Sequence, residues 1–562
     1  MTSIRFITTA LAAFVVTVFA HAHTADEEEW SGWAGNIYNN RWASTNTQVN
    51  SHSIRSLTPH CKKYYDKGVS ATPVLKDNIV YYPTWNGLFV ALDFVTCHVQ
   101  WQINVTEIIL DYKPLSTSQE GNVRPVSRTS PQIDGKTLYF GTLAHALIIA
   151  VDRFSGEVLG KVQINTHPFA VVTMSPTFFD GKLFVGVASV EENLTLDPDY
   201  KCCTFVGNVL ALRFDPSAKK PFSIVWNLPM IPPASAAMGW SGVGMWGSQP
   251  AIDVSRRQVF FASGNTYSLP DVIIACQNAA VNLTAVVQGL VPDPCLPRDI
   301  LQNSVIAVDI DYGILNWVHQ LEGLDAFTAA CGYPGFAPQN TVLCPEIPGP
   351  DYDFGMAPAF VSASHFTPYK KDIVVVGQKS GILYGISAQT GTLFWSTQTS
   401  PGGLAGGLSW GVAADNERAY FTAINWAEEN WVLQPQGTET VNRSGYGAVS
   451  LSDGKIVWEV PVPQNGSSFA PPSVVGDLVL VGKTGVDVNG SKDGYDATNG
   501  SLVALDKATG RLVLDYVLDT NTHGGVAVRG EYVLLGLGYD GFGLKALVPG
   551  SMTVWRVNSH GS

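Results

Sequence analysis

The sequence predicts an all-β fold, an eight-bladed β-propeller of four-stranded antiparallel blades, and three observations carry that expectation. An eleven-residue segment recurs along the chain. Apolar strand pairs joined by polar Asp-Gly turns precede most of its copies. The 562 residues also include 54 Gly and 33 Pro, with few stretches of helical amphipathic period.

The segment reads ALDFVTCHVQW at 91–101, AVDRFSGEVLG at 150–160 and AVDIDYGILNW at 307–317. It returns as GISAQTGTLFW at 385–395, AVSLSDGKIVW at 448–458 and ALDKATGRLVL at 504–514, with a degenerate copy at 211–226. Each copy is a strand, a tight Asp/Thr/Gly turn and a second strand, mostly ending in Trp. Upstream pairs such as IDGKTLYFGT (133–142) and VGDLVLVGKTG (475–485) complete a four-stranded unit. Ordinary hairpins of a sandwich would not repeat one register seven times. Radially stacked blades do, and the repeated Trp is expected to pack on the neighbouring blade. An eighth blade is expected where the C-terminal strands (532–537 and 553–557) pair with a strand following Trp30.

Composition narrows the function. With 46% apolar and 14% charged residues the chain buries a large core, and intrinsic disorder is excluded. A net charge of -13 argues against a nucleic-acid partner, which needs a basic face. Arg5, the apolar run 6–20 and Ala20-His21-Ala22 form an export signal, so residues 1–22 are read as a signal peptide and 23–562 as one propeller domain. That run is short for a membrane span. The expected location is secreted, or periplasmic in a bacterial host. Eight cysteines in an exported chain favour disulfides, and local spacing suggests Cys61–Cys97, Cys202–Cys203, Cys276–Cys295 and Cys331–Cys344. Zinc is the weaker reading, since no C-x-x-C pair or His cluster accompanies them. Sequons at Asn104, Asn193, Asn282, Asn442, Asn465, Asn489 and Asn499 allow a glycoprotein.

At this point the sequence resembles a family. The Trp-ended repeat is similar to that of the pyrroloquinoline quinone (PQQ) dependent alcohol dehydrogenases, which are eight-bladed propellers. The polyvinyl-alcohol dehydrogenase branch is the nearest in look. The stretches that carry the resemblance are WSGWAGNIYNNRWA (30–43), CCTFVGNVLAL (202–212), MWGSQPAID (245–253), CPEIPGPDYDFG (344–355) and VVGQKSGILYGISAQTG (375–391). The resemblance covers essentially all of 23–562.

A PQQ enzyme must hold a planar tricarboxylate quinone, polarise a carbonyl with a hard cation and deprotonate an alcohol. The resemblance implies a residue for each task. Glu191, ending FVGVASVE, matches the metal-binding glutamate, with Glu192 beside it as the competing choice. Asn265 in SGNTYS matches the amide ligand of the cation, and Trp246 the floor beneath the quinone. The approach through Gly242, Gly244 and Gly247 suits a ring lying against backbone. Arg128 in VSRTSP matches an arginine that pairs with PQQ carboxylates. Thr173 in TMSP, and Ser409 and Trp410 in GGLSWG, match further cofactor contacts. Lys379 in GQKSG matches the cation near the quinone oxygens. Asp351 in PDYDFG is the expected catalytic base and Asp325 the alternative. Asp353, two residues on, shares a side with Asp351 in an extended chain, and both join the metal set. In the family an added Asp there accompanies rare-earth rather than Ca2+ use.

The chain departs from the family pattern in places. Cys202–Cys203 follows Glu191, whereas many relatives have a vicinal pair before the arginine. Ser409 stands where several have Asn, and His145 where Asp is usual. No C-x-x-C-H haem signature is present in the sequence, so electrons are expected to pass to an external acceptor such as a cytochrome c or a quinone. The expected reaction is oxidation of an alcohol with PQQ and Ca2+. Two other classes compete: a non-enzymatic secreted scaffold propeller, and a propeller glycosidase, which leaves Lys379 and Trp246 unexplained.

Overall fold

Eight sheets, each with a core of four antiparallel strands, follow one another along the chain of the computed structural model, and two of them carry a short fifth strand. It describes residues 29–280, 293–321, 323–332, 342–404, 406–425, 427–485, 499–541 and 547–558. The signal-peptide expectation and the sequons at Asn282 and Asn489 fall outside these residues. Blades 1 to 7 occupy 74–104, 132–163, 177–229, 251–320, 359–398, 413–461 and 473–517, each with its strands in sequence order. Blade 8 is shared between the two ends of the chain. Ala527–Arg529, Tyr532–Tyr539 and Leu547–Arg556 are completed by Thr58–Tyr65, whose Thr58 pairs with Arg556 and Tyr65 with Gly550. The expected closure of the ring therefore holds, and Cys61–Cys97 bonds this closing strand to blade 1.

Burial follows position in the blade. Second strands such as Gln258–Ala262 and Ile373–Gly377 are buried at every residue, because a neighbouring blade covers each face. Fourth strands such as Leu393–Gln398 are partly exposed. All four expected disulfides are present. Among the described residues no helix is long and apolar enough to cross a membrane.

The repeat is explained by contacts between blades. In each copy the first residue, Ala or Gly, pairs across the hairpin with the last, and the small side chain leaves room for an indole. That indole then reaches the next blade. Trp101 donates to Arg153 O (2.9 Å), Trp226 to Ile310 O (3.1 Å), Trp317 to Ala388 O (3.0 Å), Trp395 to Leu451 O (2.8 Å) and Trp458 to Lys507 O (3.1 Å). Against each ring lies the turn glycine of the following copy. A Cβ on Gly391 would stand 2.6 Å from the Trp317 ring, and its φ of +72° already favours glycine. The copy at 150–160 ends in Gly160 instead of Trp, and there the next blade offers Pro221 and Phe214 in place of a glycine. Indole and glycine are lost together.

The segment Trp30–Ala43 fills the axis from one side. Arg41 is fully buried and donates to Pro472 O (2.7 Å), Trp33 O (2.5 Å), Thr72 Oγ1 (3.3 Å), Ser473 Oγ (2.9 Å) and Val526 O (3.2 Å). Burial lowers its pKa to about 9, and the Trp33 ring lies 4.3 Å from the guanidinium. Asn39 Nδ2 donates to Ala357 O (2.9 Å) and Pro358 O (3.1 Å), and Gln249 Nε2 to Asn36 O (2.7 Å). One short segment thus ties blades from both halves of the ring to the axis.

Two outcomes follow for stability. Gly391→Ala should destabilise the protein by roughly 2–5 kcal/mol through overpacking and left-handed strain, read as a drop in the denaturation midpoint. Glu459, in the fourth strand of blade 6, is the second case. Burial raises its carboxyl to about 7, against the pull of the Gln434 N–H at 2.7 Å. A raised folded pKa means stability present below the unfolded value and lost as pH rises from about 4.5 through 7. Glu459→Gln should flatten that slope by up to about 3 kcal/mol in unfolding measured across this range.

Candidate active site

Loops that enter the first strand of a blade, or leave its second strand, all emerge on one face beside the axis, because those strands run antiparallel and innermost. Arg128, Thr173, Trp246, Asp353 and Trp410 lie in entering loops of blades 2, 3, 4, 5 and 6. Glu192, Asn265 and Lys379 lie just after the second strands of blades 3, 4 and 5. These eight residues, separated by up to 282 positions from Arg128 to Trp410, line one cavity of about 250 Å³. A smaller cavity of about 60 Å³ adjoins it on the side of Trp33, and Arg128, Thr173, Trp246, Trp410 and Tyr539 border both.

Trp246 is held as a wall between charged groups. Its carbonyl accepts from Thr173 Oγ1 (2.8 Å), its Nε1 donates to Asp353 Oδ2 (3.2 Å), and Trp410 meets it edge-on at 5.4 Å. The expected backbone approach is made by a different glycine. A Cβ on Gly355 would meet the indole at 2.6 Å, whereas Gly242 and Gly247 press on backbone.

The charges form a chain. Lys379 Nζ donates to Asp351 Oδ1 and Oδ2 (2.9 Å each) and to Asp353 Oδ2 (2.9 Å). Asp353 Oδ1 accepts the Asn265 N–H at 2.6 Å. Burial alone would discharge Lys379, but Asp351, Asp353 and Glu192 hold it protonated, well above its ordinary value. Burial pushes the Asp351 carboxyl well above the usual carboxylate range, partly offset by Lys379. The Asn265 amide nitrogen donates to Thr266 O (3.0 Å) and Phe327 O (3.0 Å), which leaves Oδ1 as the acceptor of a side chain that lines the cavity.

Several expected residues sit elsewhere. Asp351 lies behind Lys379 and does not line the cavity, so the carboxylate presented there is that of Asp353. At φ +60° its backbone turns the carboxylate inward, and Asp325 holds that turn by accepting the N–H of Asp351 (3.0 Å) and Tyr352 (2.7 Å). Asp325, also a candidate base, does not line the cavity. Glu191 does not reach the cavity either. Its carboxylate accepts from Tyr200 OH (2.8 Å), Thr204 N (3.0 Å) and Phe205 N (2.8 Å), with His167 Nε2 at 3.5 Å. Burial would raise its pKa, but His167 and these N–H groups lower it overall. Glu192 is the member of the pair on the cavity, because Glu191 opens a short helix and successive helical side chains diverge. Ser409 is buried against Gly406 outside the cavity lining, and His145 bonds Lys113 O at 2.8 Å. Cys202–Cys203 does not line the cavity; Cys203 packs with Val187, Phe205 and Tyr267.

Sequence reasoning missed the aromatic walls Tyr267, Phe469 and Tyr539. Tyr539 ends the second strand of blade 8, a blade without a repeat copy, so no register pointed to it.

Comparison with known proteins agrees with this architecture. The chain is 25% identical over 482 residues to a polyvinylalcohol dehydrogenase of Pseudomonas sp., covering 83% of this chain and 65% of the relative. It is 26% identical over 445 residues to one from Sphingopyxis sp. (strain 113P3), covering 74% and 58%. The chain is similar to the polyvinyl-alcohol dehydrogenases. It spans less than two thirds of the length of these relatives. A europium-containing methanol dehydrogenase shares the fold at TM-score 0.65 and 15% identity, over 95% of this chain and 98% of that one. The quinohemoprotein alcohol dehydrogenase of Comamonas testosteroni does so at 0.64 and 15%, over 96% and 82%. A family model described as outer membrane protein assembly factor BamB matches residues 302–536.

The two neighbouring glutamates should separate on substitution. Glu191→Ala leaves buried donors unpaired and should lower unfolding stability by on the order of 3 kcal/mol. Glu192→Ala removes a charge that repels Asp351 but also supports Lys379, and should cost less stability than Glu191→Ala, measured by denaturant titration.

Proposed function

We propose that this protein is an exported quinoprotein dehydrogenase, secreted or periplasmic, that oxidises an alcohol to a carbonyl using PQQ and a bound cation and gives its electrons to an external acceptor. The observation that carries this reading is Arg128. It borders both axial cavities, yet among the described residues it makes no ion pair or hydrogen bond, only a contact with the Trp410 ring at 5.8 Å. A half-buried cation on a cavity wall with no side-chain partner suits an anionic ligand. A flat polycarboxylate fits a site that sets Arg128 and the Trp246 ring on one part of the wall and oxygen donors on the other.

The residues divide the work by charge and exposure. Arg128 would pair with the cofactor carboxylates, and the Trp246 indole would lie against its plane. Glu192 and the Asn265 Oδ1 supply the hard oxygen donors that Ca2+ or a rare-earth ion requires, in place of the Glu191 first expected. When bound, the cofactor accepts the two electrons released as the alcohol C–H bond breaks. Asp353 is the base: its carboxylate faces the cavity and takes the hydroxyl proton, while Lys379 and Asp351 behind it fix its position and charge. Tyr267, Phe469 and Tyr539 exclude water from the reacting atoms.

A second reading, a scaffold propeller without cofactor, is favoured by the assembly-factor model over 302–536. Calorimetric titration of the metal-stripped protein with PQQ, with Ca2+, La3+ or neither, separates the two. Cation-dependent binding that weakens in Arg128→Ala and Glu192→Ala is expected, and no binding by the folded protein would leave only the scaffold. Asp353→Asn should keep PQQ binding and lose roughly 10²–10⁴ in kcat, whereas full activity would exclude it as the base.

A further inference from the structure

We infer that the wall where blade 8 meets blade 1 conducts electrons singly from the cavity, through Tyr539 and Trp85, to a haem-protein acceptor docked at the rim. This rests on the dehydrogenase reading and adds to it the exit route and the partner's docking place.

Two-electron chemistry at a buried site must be joined to acceptors that take one electron each. For every alcohol oxidised, two electrons reduce two ferric haems to ferrous, and two protons pass to solvent. The protein must offer the electrons a short path, since tunnelling falls off exponentially with distance. Five aromatic side chains line the main cavity: Trp246, Tyr267, Trp410, Phe469 and Tyr539. Trp246 and Trp410 meet edge-on, and Trp410 meets Arg128, which leads back to the cavity. Tyr267 stacks on Phe205, whose ring is far harder to oxidise than Tyr or Trp.

Tyr539 is different. Its ring lies 5.2 Å from Trp85, at 79°. Trp85 borders neither axial cavity and is only 3% exposed, with its Nε1 donating to Ser70 Oγ at 2.9 Å. The guanidinium of Arg124 lies 5.9 Å from the Trp85 ring, and its side chain is 38% exposed. Two readily oxidised rings therefore bridge cavity and surface. On the other side of Tyr539 the His523 ring stacks at 4.7 Å, and burial lowers its pKa to about 3, so no positive charge faces the bridge there.

The surface end is also suited to a partner. Arg124 pairs with Asp540 at 2.9 Å, and Lys67, 57% exposed, approaches the same carboxylate at 3.7 Å. Two cations around one anion form a basic spot on a chain of net charge -13. It complements a haem edge carrying carboxylates.

The path can be tested without cofactor. All described cysteines are in disulfides, so Lys67→Cys supplies a single thiol for a photo-oxidisable ruthenium label. A flash should give a tryptophanyl-radical absorbance in this protein and lose it when Trp85→Phe is added, a change that keeps the ring packing. An undiminished radical signal with Phe at that position would overturn the route. With PQQ and cation bound, Trp85→Phe should slow reduction of a c-type cytochrome while sparing two other steps. These are cofactor reduction by alcohol, followed by absorbance in a single turnover, and reduction of phenazine methosulfate, a small diffusing dye that needs no docking at the rim. Equal loss with dye and cytochrome would overturn the proposal. Absence of any cofactor absorbance change, in parent and variant alike, would instead sink the dehydrogenase reading and leave the radical result standing.

Discussion

Five of the eight blades are fastened to the next by an indole that lies on a glycine and donates one hydrogen bond to a turn carbonyl. The lock occurs five times with Trp101, Trp226, Trp317, Trp395 and Trp458. It fixes the spacing and tilt of neighbouring sheets, because the ring fits only where the glycine has no Cβ. Everything near the axis inherits its position from this contact. The entering loops carry Arg128, Trp246 and Asp353 to one place only because their blades are held at a constant angle. The ring also has to close, which it does by pairing Thr58–Tyr65 with Leu547–Arg556 and by burying Arg41 among carbonyls and hydroxyls from several blades.

Within that frame the site sorts acids by depth. Asp325, Asp351 and Glu191 are buried and spend their oxygens on backbone N–H groups or on Lys379. Asp353 and Glu192 stand one or two residues further along and face the cavity. Inner carboxylates shape the loops, Asp351 and Asp353 together hold Lys379 charged, and the outer pair is the one presented to the cavity. A buried acid without such donors would cost several kcal/mol, so the inner acids are as necessary as the outer. Repulsion among Glu192, Asp351 and Asp353 is tolerated because Lys379 lies among them and because a bound cation would relieve the rest.

Much of the site is legible in the sequence, and the departures from it have a common form. Arg128, Thr173, Trp246, Asn265, Lys379 and Trp410 all reach the cavity as their motifs imply. Glu191 and Asp351 are each displaced by a residue one or two positions on. A motif fixes which loop bears the carboxylate. Which neighbour points inward depends on a helical start at Glu191 and a left-handed backbone at Asp351, and nothing in the local spacing signals either. Tyr539 and Trp85 escape a reading of the sequence for another reason. They come from opposite ends of the chain and meet only across the closure of the ring.

By itself the sequence determined the strands, their turns and the blade-to-blade packing, and its spacing suggested the four disulfides that the structure contains. These rest on contacts between residues close in the chain or on a register repeated from blade to blade, so pattern and spacing are sufficient. Tertiary structure alone decided which carboxylates face the cavity, which glycine supports Trp246, and which rings join the cavity to the surface. Those contacts unite loops from different blades, and their geometry is set by how eight similar sheets close around one axis.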